Sequence, residues 1–211
     1  MTDKPILFSA TMVQALLDGR KTQTRRIIKA PPAHDAIAVF GSDFLTLPGN
    51  VDLLPIHALR GDCLWVRESF AVSGIGWGKK PKDARGGKVH YRADPAHGWQ
   101  DYWGSWRPSI HMPRWASRLT LIVTDVRVQR LQEISNEGAI AEGIERASRG
   151  LENGWKDYSG DSQLVGPRSS FCTLWNSING PDAWEANPWV AAYSFRVIRA
   201  NIDSEEVGHA L

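Results

Sequence analysis

The sequence predicts an α+β fold: a curved sheet or small β-barrel with a few flanking helices and long loop insertions. Three observations carry the α+β expectation. Two long stretches, 118–131 and 189–198, have the two-residue periodicity of strands. Helical periodicity is confined to three short segments. The intervening residues are rich in glycine, proline and tryptophan, which suits long connections around a sheet.

In order, Ile6-Leu7-Phe8 reads as a short strand. Ser9 is placed to cap a helix bearing Met12, Val13, Leu16 and Leu17, and Gly19 stands where a left-handed cap ends it. Arg20 to Ile28 follows, extended by its β-branched threonines and isoleucines. Alternation there puts Lys21, Gln23 and Arg25 on one face and Thr22, Thr24 and Arg26 on the other, unless a bulge or turn intervenes. Residues 30–58, with four prolines, read as an insertion. Arg60-Gly61-Asp62 is a turn before a strand at 63–70, and Lys88 to Arg92 is another short strand. In 118–131, Leu119, Leu121 and Val123 share one parity, whereas Val126 and Val128 share the other. That flip predicts a bulge or bend near Thr124-Asp125. Ser135 caps a helix carrying Ala139, Ile140 and Ile144. Ser169 or Ser170 opens a second helix through Phe171, Leu174, Trp175 and Ile178, closed by Asn179-Gly180. The last strand, 189–198, alternates cleanly.

A length of 211 residues fits one domain over 1–200, with insertions near 30–58, 73–115 and 146–167, and a frayed acidic tail at 201–211. The longest apolar runs, of about five residues, fall far short of the roughly 20 that a membrane helix needs. The first residues hold no apolar signal core, so the expectation is a cytoplasmic protein with no membrane partner, monomeric by default. Cys63 and Cys172 stand far apart, with no CxxC or HExxH, which argues against a structural metal. A net charge of +2 permits a nucleic-acid partner without requiring one. The ten tryptophans are several times the number a chain of this length needs. Trp65, Trp175 and Trp189 lie in regular elements and read as core. Trp77, Trp99, Trp103 and Trp106 lie in loops, where core packing competes with base stacking.

The densest polar stretch is Gly19-Arg20-Lys21-Thr22-Gln23-Thr24-Arg25-Arg26, with four cations and two hydroxyls in seven residues. Cations this close repel one another, so an anion such as a nucleotide phosphate is a natural partner. A lysine crowded by arginines and desolvated has a lowered pKa and can serve as a general base. The bland reading is an exposed basic edge strand, where lysine blocks aggregation.

This stretch resembles the signature of the ASCH (activating-signal-cointegrator homology) domain, a family with a barrel similar to the PUA fold. Further resemblances to its larger bacterial and phage members span the chain. Arg60 to Glu68, RGDCLWVRE, is similar to their GD-x-L-x-V-R-E strand, and Ile110 to Arg118 to the segment before their long strand. Ala139 to Ile144 is similar to their A-x-x-E-G helix. Leu174 to Gly180, with Asn187 to Val190, is similar to their closing helix and strand.

The resemblance implies an activity. Small members of the family include amidohydrolases that remove the acetyl group of N(4)-acetylcytidine with a lysine, a threonine three residues later and a distant glutamate. Carried over, these are Lys21, Thr24 and Glu142, with no metal or cofactor. Thr24 would attack the carbonyl, Lys21 would take its proton, and Glu142 would protonate the leaving amine or orient the lysine. Arg25, Arg26 or a backbone N–H would bind the oxyanion. Lys21 and Thr24, separated by an odd number of residues, face opposite ways in an ideal strand and meet only if the segment turns.

The residues expected to meet a nucleoside or single-stranded nucleic acid are Arg20, Arg25, Arg26, Trp65, Arg67, Glu68 and Arg118. Glu68 competes with Glu142 for the acid role, and its bland reading is a salt bridge with an arginine. His111 is the best histidine candidate, with a structural hydrogen bond as its bland reading. A non-catalytic PUA-like module that binds RNA or a modified base, and an ASCH-type nuclease, are the competing functions. The basic loop Lys79 to Arg85 leans toward a strand partner; the Lys21–Thr24 pair leans toward acyl chemistry.

Overall fold

The computed structural model describes residues 2–29, 56–74, 86–94, 106–147, 154–160 and 166–210, together with the backbone of 38–40, 44–46 and 163–164. Trp77, Trp99, Trp103 and the basic loop Lys79 to Arg85 lie outside the described residues. The fold is α+β. Among the described residues, β1 (Asp3–Leu7), β5 (Cys63–Arg67), β8 (Thr120–Arg130), β11 (Trp189–Ile198) and β2 (Gln23–Ile27) make, in that order, a mixed five-stranded sheet, and three two-stranded pairs accompany it. Among the described residues, β1 and β2 are the edges of that sheet, so it forms an open sheet and not a closed barrel. The chain divides into two compact units, where the sequence suggested one domain over 1–200. One comprises Met1–Gly19, Gly61–Ile122 and Arg196–Leu211; the other comprises Arg20–Arg60 and Val123–Phe195.

In the first unit, β1 (Asp3–Leu7) runs parallel to β5 (Cys63–Arg67), which pairs antiparallel with the start of β8 (Thr120–Arg130). Burial of Ile6, Leu64, Val66 and Leu121 supplies the core, at about 1.5–3 kcal/mol for each fully buried side chain. Ser9 caps α1 (Ala10–Leu17) by accepting from the Met12 N–H, and Gly19, at φ +74°, takes the left-handed position after it. Gly61, at φ +88°, makes the turn into β5. At the start of the expected insertion at 73–115, β6 (Phe70–Ser73) pairs antiparallel with β7 (Lys88–Tyr91), which lies inside it. The tail is not frayed. Residues Glu205–Ala210 form α4, and Ile202 and Val207 pack against Cys63, Trp65 and Ile122. Ile202 and Val207, with Ala210 packed against the same cluster, hold it down among its acidic residues, a pattern that charge alone obscures.

The second unit contains β2 (Gln23–Ile27), most of β8 and most of β11 (Trp189–Ile198). β2 is antiparallel to β11, with Gln23 opposite Ser194, Thr24 opposite Tyr193 and Arg25 opposite Ala192. In β8 Thr120 through Val123 are all buried, Thr124 is exposed and Val126 is buried, so the expected parity flip does not show in the burial: the start of the strand is covered on both faces. Clean alternation in β11 suggested a strand covered on one face, yet Val190 through Tyr193 are all buried, because this strand is covered on both. Helix α2 (Asn136–Ala141) is capped by Ser135, whose hydroxyl accepts from Gly138 N–H. It ends at Glu142, and Gly143 follows at φ +84°. Helix α3 (Pro167–Asn179) begins earlier than expected, with Pro167 at its first turn, and packs on α2. The expected insertions here carry the pairs β3 (Ala38–Phe40)–β4 (Phe44–Thr46) and β9 (Trp155–Lys156)–β10 (Gln163–Leu164).

Candidate functional site

Lys21 enters the second unit two residues ahead of the β2–β11 ladder. It forms an isolated antiparallel bridge with Glu142, the residue that ends α2. The Thr22 N–H donates to Ala141 O (2.9 Å), and Thr22 O accepts from Phe195 N (3.0 Å), so the segment stays extended into β2. The Lys21 ammonium therefore lies against Glu142. It donates to Glu142 Oε2 and to the Glu142 carbonyl, both at 2.8 Å. Arg25 Nη1 donates to the other carboxylate oxygen, Oε1, at 3.0 Å. Lys21, Arg25 and Glu142 are only 1%, 3% and 4% exposed. One carboxylate thus answers two buried cations.

Burial removes Lys21 from water and lowers its pKa. Glu142 acts in the opposite direction but is outweighed, and Arg26 and Arg25 add further lowering. Desolvation also lowers Arg25 and Arg26 below the ordinary guanidinium range, with Glu142 opposing it in both. Arg20 donates to Gly143 O (3.0 Å), and Arg26 donates to Arg25 O (3.4 Å). Lys21, Arg25 and Arg20 thus make these bonds at the end of α2, whereas Arg26 bonds to the backbone of its own strand.

Thr24 takes the opposite side of the strand. Gln23 Nε2 donates to Ser194 Oγ (2.9 Å), so Gln23 and Ser194 share one face of the ladder; Arg25 shares that face by parity. Thr24 and Tyr193 share the other, and both are buried. Both oxygens of the Glu142 carboxylate are taken by Lys21 and Arg25, so the structure joins Lys21 to Glu142 and turns Thr24 away.

A cavity of about 320 Å³ opens on the Gln23–Arg25 face. Gln23, Arg25, Arg127, Gln129, Glu137 and Gly138 are among its lining residues. This volume is at the small end of ligand pockets, suited to a single nucleoside. Its charge is mixed. The Glu137 carboxyl lies below its usual range, held there by its own backbone N–H and by Ser135, and so stays anionic. Sequence reasoning missed Arg127, Gln129 and Gly138. The signal was the shared parity of Arg127 and Gln129 in β8, which had been read only for apolar residues.

The remaining candidates, Trp65, Arg67, Glu68 and Arg118, belong to the first unit. Glu68 is buried and accepts from Arg118 Nε (2.9 Å) and Nη2 (3.1 Å), while Arg118 Nη1 donates to Asp94 (2.6 Å). Arg118 also lies 3.9 Å over the Tyr91 ring. Desolvation raises the Glu68 pKa, and the arginine only partly offsets it. Its bonding is that of the bland reading, a salt bridge. Trp65 packs in the core against the tail, with the Arg67 guanidinium 5.3 Å from its ring, and Arg67 Nη2 donates to Ile110 O. Trp175 is buried, Trp189 half-buried beneath Arg130, Trp106 exposed, and His111 exposed in the turn Ser109–His111.

Among the described residues, no cluster of three or more His, Cys, Asp or Glu side chains is arranged to hold a metal, and no helix is long and apolar enough to cross a membrane. Comparison with protein-family models, with curated proteins and with solved structures finds no match to this chain.

Proposed function

We infer that the cavity lined by Arg25, whose guanidinium shares the Glu142 carboxylate with Lys21, binds a nucleoside and hydrolyses an acyl amide on its base, with N(4)-acetylcytidine the substrate class implied by the ASCH resemblance. A PUA-like fold is part of the same proposal. The carrying observation is the pairing of a desolvated lysine with a carboxylate whose second oxygen holds a cavity-lining arginine. Burial lowers the Lys21 pKa, and once its proton is lost Lys21 is a free amine, a competent general base. Because Thr24 faces away, water is the nucleophile in this reading. Lys21 takes a proton as the water oxygen attacks the acyl carbon. The C–N bond then breaks, the base nitrogen takes the proton back, and acetate leaves. The mixed charge of the cavity, with Glu133 and Glu137 beside Arg25 and Arg127, favours a neutral nucleoside over a phosphate-rich strand.

The test is release of acetate from N(4)-acetylcytidine. Wild type turns over, and the rate rises with pH as the Lys21 ammonium gives way to the amine. Lys21→Met loses at least a hundredfold, within the usual range for a general base, and Thr24→Val keeps most of the activity. Equal turnover by Lys21→Met ends the proposal. Loss in Thr24→Val with a trapped acyl-threonine returns the nucleophile to Thr24. Burial of Lys21 and Glu142 favours a second reading, a binding module without chemistry. Tight, salt-dependent RNA binding without turnover supports that reading.

A further inference from the structure

Among the described residues, two buried polar atoms of cavity-lining side chains have no hydrogen-bond partner: Gln23 Oε1 and Arg25 Nε. Both side chains line the cavity and are nine-tenths or more buried, at 5% and 3% exposure. A buried donor or acceptor left unmade costs about 1–3 kcal/mol, so two on one wall call for a ligand that answers both. Neither side chain is loose. The Gln23 amide is tied to Ser194 Oγ, and the Arg25 guanidinium is tied to Glu142 and lies 5.8 Å from the Phe171 ring centroid. Gly138 leaves room for that guanidinium: a Cβ there would come within 3.0 Å of Arg25 Nη2.

We propose that Gln23 and Arg25 are the ligand-reading pair of the cavity, Gln23 Oε1 accepting from an N–H of the bound base and Arg25 Nε donating to an acceptor on the same molecule. The two residues lie two apart on one strand face, so their Cα atoms are about 6.7 Å apart. That span matches the width of one planar base with its substituents. The ligand class is a neutral nucleoside carrying an exocyclic N–H together with a ring-nitrogen or carbonyl acceptor. This inference rests on the nucleoside reading above but not on hydrolysis.

The experiment measures binding to the full-length chain by calorimetry. The probes are cytidine and N(4),N(4)-dimethylcytidine, which keeps the ring but has no exocyclic N–H. Wild type is expected to prefer cytidine by about tenfold, the loss of one buried hydrogen bond. Gln23→Met, which removes the acceptor at similar volume, should weaken cytidine by a similar factor and leave dimethylcytidine unchanged. Arg25→Lys, which keeps a cation near Glu142 but removes Nε, should weaken both. The two-probe comparison on wild type needs no variant to fold. Equal affinity of wild type for the two probes overturns the pair, as does a Gln23→Met that binds cytidine as wild type does. Failure of wild type to bind either probe overturns the nucleoside reading as well. Selective cytidine binding without turnover of the acetylated nucleoside leaves the pair standing and removes only the hydrolase.

Discussion

Glu142 is the residue on which the second unit's polar interior depends. Replacing it with glutamine leaves Lys21 and Arg25 buried with a neutral partner, and removing one member of a buried ion pair typically costs about 3–5 kcal/mol. Urea denaturation of Glu142→Gln should show that loss, and adding Lys21→Met should recover part of it. A loss under about 1 kcal/mol would mean that the pair is solvated. Glu68 makes the corresponding case in the first unit, with a sign that can be worked out. Its folded pKa is raised by desolvation, so the folded chain holds the proton more tightly than the unfolded one. Stability on this account is greatest below the unfolded carboxyl value and falls as pH rises through the folded one. Arg118→Met removes the partial offset and pushes the folded pKa higher. Its deficit relative to wild type should therefore be small at about pH 3, below the ordinary carboxyl value, where Glu68 is protonated folded and unfolded, and grow toward neutrality. A deficit that does not change with pH would assign the effect to packing over Tyr91 instead.

Glycines in two helices separate intrinsic propensity from packing. Both positions are helical, where alanine is favoured over glycine by up to about 1 kcal/mol. In α4, a Cβ on Gly208 meets nothing, so Gly208→Ala should stabilise by about 0.5 kcal/mol. In α2, a Cβ on Gly138 meets Arg25 Nη2 at 3.0 Å and Ile134 Cγ1 at 3.2 Å. Gly138→Ala should lower the melting temperature, because the arginine it displaces is tied to Glu142. Thermal unfolding of the two variants checks this, and a rise in both would show that Arg25 yields freely. Much at this scale was legible in the sequence. Ser9, Gly19, Ser135 and the bounds of β11 follow from local rules for caps, left-handed turns and alternation. The early start of α3 was missed because the serines at 169 and 170 are conspicuous cap candidates, whereas Pro167 opens the helix without a side-chain cap.

Across the molecule, the C-terminal segment closes the core of the first unit. A chain ending at Ala200 loses Ile202 and Val207 from the cluster around Cys63, Trp65 and Ile122. At about 1.5–3 kcal/mol for each buried side chain, it should lose about 3–6 kcal/mol. Cys63, 1% exposed, should then react with a thiol reagent it previously resisted; a protected Cys63 would place the closure elsewhere. The sequence by itself determined the α+β class, most helix and strand positions, and the separation of Gln23 and Arg25 from Thr24 on β2. Those follow from backbone period and capping, which act over a few residues. Only the tertiary structure decided that Glu142 receives Lys21 and Arg25, that Glu68 belongs to Arg118, and that the acidic tail is packed. Each joins residues dozens of positions apart or more, and what selects the partner is the cost of burying a charge or an apolar side chain, which arises only once the chain has folded around it.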